Sequence, residues 1–142
     1  MPILTDRDQA AVRKELEKLA GPVKLVVFSQ ELQAADLCRQ NERLVREVAE
    51  LSDKITVEVL NPAIDRERTE TYGVDQVPAI VVEGARDYGI RFYGIPAGYE
   101  FSNLVDAIIV ASTGEPALSE ETKASLRALA EDVEIKVFAT PT

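Results

Sequence analysis

Histidine is missing from this chain of 142 residues, and cysteine occurs once. An intramolecular disulfide is therefore excluded, and so is a zinc cage of Cys and His ligands. Ser-His-Asp and Cys-His catalysis fall with the imidazole that each needs as its base. Cations are also scarce, with 16 Lys and Arg against 25 Asp and Glu, a net charge of −9. Nucleic acid and anionic membrane surfaces are bound by clustered Lys and Arg, so neither is expected as a partner. No apolar run approaches the ~18 residues that a membrane span needs. The N-terminus, Met1 to Asp8, turns polar almost at once and lacks the apolar core of a signal peptide. A cytoplasmic protein is the expectation. Gly94, Pro96 and Gly98 do not make a nucleotide cradle, because the G-x-G-x-x-G spacing is absent. No cofactor and no metal are expected.

What is present fits one soluble domain: 46% of the residues are hydrophobic and 29% charged, enough to bury a core. Thr5 followed by Asp8 reads as a helix N-cap with an acidic N3, and Val12, Leu16 and Leu19 share one face of that helix. Gly21-Pro22 stops it. Pro22 to Phe28 is a short β-branched run that reads as a central strand. After a polar loop, a second helix is predicted from about Ala34 to Leu51. Leu37, Cys38, Asn41, Leu44, Val45, Val48 and Leu51 recur on its inner face. Lys54 to Leu60 alternates Ile55, Val57 and Val59 with polar neighbours, a strand with one better-buried face, and Asp65 to Tyr72 is a short charged helix with Gly73 as its stop.

The stretch Val74 to Gly84 organises the rest. Pro78 opens an apolar run, and a proline cannot donate to a central ladder, so it must stand at the strand's first residue or edge. Val77, just before it, is pushed towards extended backbone, and X-Pro is the bond that takes cis cheaply. Tyr88 to Tyr93 should form a hairpin with Pro78 to Val82. Glu100 to Ser112 is a helix carrying the stripe Phe101, Leu104, Val105, Ile108 and Ile109. The order β-α-β-α-β-β-α implies parallel pairing in the first half and an antiparallel pair in the second, in a mixed four-stranded sheet with helices on both faces.

Thr113 to Ala117 is linker-like. Beyond it, a helix opened by Leu118-Ser119-Glu120-Glu121 and a strand over 133–139 repeat the pattern of the start. Val133-Glu134-Ile135-Lys136-Val137-Phe138 echoes Val23-Lys24-Leu25-Val26-Val27-Phe28. The expected division is a complete unit over 1–115, then over 116–142 the first helix and strand of a second unit cut short. An unpartnered strand edge there makes a homodimer an expectation as well.

Three stretches carry a family resemblance: Gly21 to Phe28 behind the extra N-terminal helix, Val77-Pro78-Ala79-Ile80, and Tyr88 to Phe101. Together they resemble the tandem protein disulfide oxidoreductases, which carry two thioredoxin-like units in one chain. The N-terminal domain of the flavoprotein component of alkyl hydroperoxide reductase is a more distant relative with the same plan. The resemblance covers the whole chain, and 137–142 looks like the lead-in to a second unit's Cys-x-x-Cys. It implies thiol–disulfide exchange with protein substrates in redox homeostasis, carried out by the full-length family protein. It also implies that Val77 and Pro78 form the loop that faces the dithiol and holds the substrate peptide.

In that family the first unit's dithiol sits at the start of the second helix, where the helix N-terminus lowers a thiol's pKa and a second thiol resolves the mixed disulfide. Matching from the helix side puts Cys38 on the resolving position and Ala35 on the nucleophile's; matching from the strand side gives Ala34. Either way the nucleophile is alanine, so dithiol exchange cannot run in this unit. Cys38 is read as a remnant on an apolar face, where a thiol behaves as a small hydrophobe. A monothiol enzyme using Cys38 with glutathione is a weaker alternative, and a redox-dead binding or dimerisation module is another. For Val77-Pro78, a live peptide loop and a turn kept for the fold stay open alternatives. Glu31, Asp36 and Glu42 read as a solvated helix face. Glu100 is an acid in a helix's first turn, and Phe92 and Tyr93 are core or interface aromatics.

Overall fold

The structure is a computed structural model and describes residues 1–140. Its elements follow in the order α1 (Asp6–Leu16), β1 (Val23–Phe28), α2 (Ala35–Ala49), β2 (Ile55–Leu60), α3 (Arg66–Tyr72), β3 (Ala79–Glu83), β4 (Asp87–Tyr93), α4 (Phe101–Thr113) and α5 (Glu120–Arg127). Helix α1 starts where a reciprocal cap forms. The Thr5 hydroxyl accepts from the Asp8 N–H at 3.2 Å, and the Asp8 carboxylate accepts from the Thr5 N–H at 3.2 Å. Gly73, left-handed at φ 66°, ends α3.

The sheet among the described residues runs β2-β1-β3-β4. β1 pairs with β2 in parallel, as the first crossover implies. The second crossover does not give another parallel pair. β3 returns on the far side of β1 and runs antiparallel to it, so β1 and β3 are the central strands. β3 and β4 then form the antiparallel hairpin.

Alternation along the central strands divides the core. Val23, Leu25, Val27, Ile80 and Val82 face a large cluster completed by α1, α2 and α4, through residues such as Val12, Leu44, Val48, Leu104 and Ile108. Val26, Phe28, Ala79 and Val81 face the other way and join Leu60, Val74 and Tyr72. Phe28 meets Tyr72 edge to face, with centroids 5.8 Å apart. Each fully buried Val, Leu or Phe contributes roughly 1.5–3 kcal/mol, against at most ~1 kcal/mol for a surface ion pair. These two clusters therefore hold the fold.

Three local expectations change. Leu37 is half exposed rather than on the inner face of α2, because the helix turns it out one position before Cys38. Val59 is exposed because β2 is an edge strand, covered on one side only. Over 133–139 no strand is formed, and Val133, Ile135, Val137 and Phe138 are exposed. A strand exists only by pairing with a neighbour, and this segment has the alternation without the neighbour. Of the predicted lead-in over 137–142, Pro141 and Thr142 lie outside the described residues.

Candidate functional site: a groove at one end of the sheet

Strand register decides which loops meet. Phe28 stands beside Leu60 on one side and Ala79 on the other. The segments that leave Phe28 and Leu60, and the one that enters Ala79, must therefore emerge at the same end of the sheet. They enclose a groove of about 250 Å³ lined by Gln30 and Gln33 after β1, Pro62 after β2, and Val74, Asp75, Gln76 and Val77 before β3. Crevices of this kind outside strand ends are where open α/β sheets hold ligands.

The loop before β3 is fixed at both ends. Gly73 turns the chain out of α3, the Val74 N–H bonds the Thr69 carbonyl at 3.2 Å, and the Val74 side chain is buried. At the other end Pro78 is buried, and its carbonyl accepts from the Gly94 N–H at 2.9 Å. The Val77–Pro78 peptide bond is cis. Between these anchors Asp75 and Gln76 are exposed and Val77 is half-buried. Val77 is thus held at the groove wall by a loop anchored on both sides.

The opposite wall leads into α2. Ala34 adopts a left-handed conformation at φ 52°, and no side chain caps the helix. Ala35 is the first helical residue, and Cys38 stands one turn further along. Cys38 is 1% exposed, with its thiol 3.8 Å from the Gln33 carbonyl oxygen, and it is not among the groove's lining residues. The groove and the cysteine thus share the Gln33 segment, but the sulfur lies behind it. One further turn along α2, the Asn41 amide is fully buried, with neither polar atom partnered among the described residues.

The carboxylates near the helix start are engaged. Arg39 bonds Glu31 at 2.8 Å and also Asp36, and Glu42 pairs with Arg46 at 2.8 Å. Glu100 lies in a 3-10 turn leading into α4. Phe92 packs against the larger core cluster, whereas Tyr93 is exposed. Among the described residues no group of His, Cys, Asp and Glu is arranged to hold a metal ion, and no helix is long and apolar enough to cross a membrane.

Of the site residues read from sequence, Val77 lines the groove, Pro78 anchors its loop and Cys38 lies outside it. Sequence reasoning missed Gln30, Gln33, Pro62, Val74, Asp75 and Gln76. Asp75 and Gln76 had a signal, since they immediately precede Val77. Pro62 had one too, since it follows β2, whose parallel pairing with β1 the first crossover implies.

No protein-family model matches the chain. The alkyl hydroperoxide reductase protein AhpF of Escherichia coli is 32% identical over 95 residues, 66% of this chain and 16% of that protein. A protein disulfide oxidoreductase from Aeropyrum pernix superposes with a TM-score of 0.77 at 26% identity, covering 91% of this chain and 56% of that one. The AhpF protein of Enterococcus faecalis shares the fold, with a TM-score of 0.80 at 24% identity over 89% of this chain and 61% of that structure. The chain spans about a fifth or less of the length of the reductase and dehydrogenase relatives that it matches. In fold and in sequence it is similar to the thioredoxin-like disulfide oxidoreductases.

Proposed function

We propose that this chain is a peptide-holding, redox-silent thioredoxin-like unit of a protein disulfide oxidoreductase. The observation that carries the reading is the groove beside Val77, at the head of a helix that begins with Ala34 and Ala35 where a reactive thiol would stand. Exchange through a dithiol needs two thiols, one to attack and one to resolve the mixed disulfide, and the sequence contains one. Cys38 is buried and is not among the groove's lining residues. A monothiol role would need an accessible sulfur, which speaks against that alternative.

The second unit belongs to the same proposal. Ser119 caps α5 by accepting from the Thr122 N–H at 3.1 Å, as Thr5 caps α1, and each helix leads to the same apolar alternation. Exposed Val133, Ile135, Val137 and Phe138 are then the inner and outer faces of a strand belonging to residues 116–142 and what they pair with. Thiol chemistry of the family would be carried by that second unit on substrates held in part by the first.

Insulin reduction with dithiothreitol tests this on the chain itself, on its Cys38→Ser variant and on a version extended through any downstream reading frame. Activity in the extended version alone is expected. Turnover by the chain that vanishes in Cys38→Ser would overturn the silent assignment.

A further inference from the structure

We propose that the groove selects extended peptide segments bearing a lysine or arginine, which the Asp75 carboxylate reads. The inference rests on the reading of this groove as a peptide site and adds the chemistry of what it takes.

Asp75 is the one charged residue among the groove's lining residues. Its carboxylate is exposed, and no hydrogen bond or ion pair among the described residues engages it. Carboxylates elsewhere around the groove's loops differ in this respect. Glu31 and Asp36 are both held by Arg39, and the Asp65 carboxylate accepts from the Asn61 N–H at 2.9 Å. An unpaired negative charge fixed at a groove wall, with no lining cation to neutralise it, is complementary to a cation on whatever lies in the groove.

The remaining lining suits the rest of such a side chain and its backbone. Val74, Val77 and Pro62 offer apolar surface for the methylene stem that Lys and Arg lay down behind the charge. Gln30, Gln33 and Gln76 supply neutral amides, each able to donate to and accept from a peptide backbone. Gln30 already donates to Gln33 at 3.4 Å, a long bond that a ligand's carbonyl could replace. A metal ion is a poorer occupant, since one carboxylate among neutral amides falls short of the several anionic oxygens that a calcium cage gathers.

Fluorescence anisotropy tests the proposal with three labelled peptides, Ser-Ala-Val-Xaa-Val-Ala-Ser, in which Xaa is Lys, Gln or Glu. At low salt the Lys peptide should bind about two- to fivefold tighter than the Gln peptide, the range expected of one exposed ion pair, with the Glu peptide weakest. The preference should shrink at high salt. Asp75→Asn should abolish it and Asp75→Lys should reverse it; the exposed, unpartnered carboxylate can be changed without disturbing the core. An order unchanged in Asp75→Asn, or equal binding of all three peptides by the unsubstituted chain, would overturn the selectivity and leave the groove a peptide site. Failure of all three peptides to bind would remove the peptide reading itself.

Discussion

Gly84 approaches Ala111 so closely that a Cβ on the glycine would lie 1.9 Å from the Ala111 carbonyl oxygen and 2.8 Å from its carbon. The turn between β3 and β4 is thereby pressed against the backbone of α4, and only a residue without a side chain allows it. The contact is with backbone, which cannot swing aside. Gly84→Ala should destabilise the fold by about 1–3 kcal/mol, as overpacking does, read as a lower urea midpoint with an unchanged slope. A midpoint equal to that of the parent chain would show that α4 can move.

The N-terminal segment is tied to α2 through Glu47, whose carboxylate accepts from the Ile3 N–H at 2.8 Å and the Leu4 N–H at 2.9 Å. Burial pushes this carboxyl up, but the N–H groups of Leu4 and Ile3 and the nearby Arg43 guanidinium together bring it below its ordinary value. A depressed carboxylate stabilises the folded state above its unfolded pKa, and that contribution is lost as pH falls through the folded value. Acid should therefore loosen the segment before α1 below the ordinary carboxylate range. Glu47→Gln should cost up to roughly 1.5–3 kcal/mol at neutral pH, the range of hydrogen bonds to a charged group, and should flatten the acid limb of a stability–pH curve.

Burial of Cys38 fixes its reactivity. A thiol reagent such as Ellman's should modify it slowly in the native state and rapidly in denaturant, because the sulfur is reached only when the structure opens. Rapid native labelling would place the thiol at the surface and revive monothiol chemistry.

Ala35 is the first residue of α2 and lies one turn before Cys38, whereas Ala34 is left-handed and outside the helix. Ala35→Cys should therefore create a pair able to close a disulfide, seen as the loss of two titratable thiols on oxidation, and Ala34→Cys should do so less readily. Equal oxidation of both variants would contradict the assignment of Ala35 to the nucleophile's position.

Asn41 is fully buried with neither amide atom partnered among the described residues. Leaving such a group unsatisfied costs about 1–3 kcal/mol. Asn41→Leu, which keeps the branched shape and removes both polar atoms, should raise the urea midpoint; a fall would show that the amide is engaged in solution or that the site has no room for the bulkier methyls.

Periodicity made most of the fold legible. Thr5 and Asp8 announced α1, the β-branched run Val23 to Phe28 announced a central strand, and the stripe Leu104, Val105, Ile108 announced α4. These signals are local, so the sequence carries them whole. The direction of β3 was not legible, because a crossover can return a strand on either side of β1 and only the assembled sheet decides. The groove suffered the same limit. Val77 and Pro78 stood out by chemistry, but Pro62 and Gln30 become neighbours of Val77 only through the register of Phe28 with Leu60 and Ala79. The failure at 133–139 has another cause, since alternation records a strand's faces and says nothing of whether a partner is present.

The turn Gly84-Ala85-Arg86 lies at the end of β3 remote from Pro78, about 17 Å away along a five-residue strand. Ala85 is exposed there, and the chain's native thiol is buried. Ala85→Cys would thus supply a selectively addressable thiol on the far side of the molecule. A dye, a sensor chip or a resin bead attached at that point would leave the groove facing open solution, in a single orientation for every molecule on the surface.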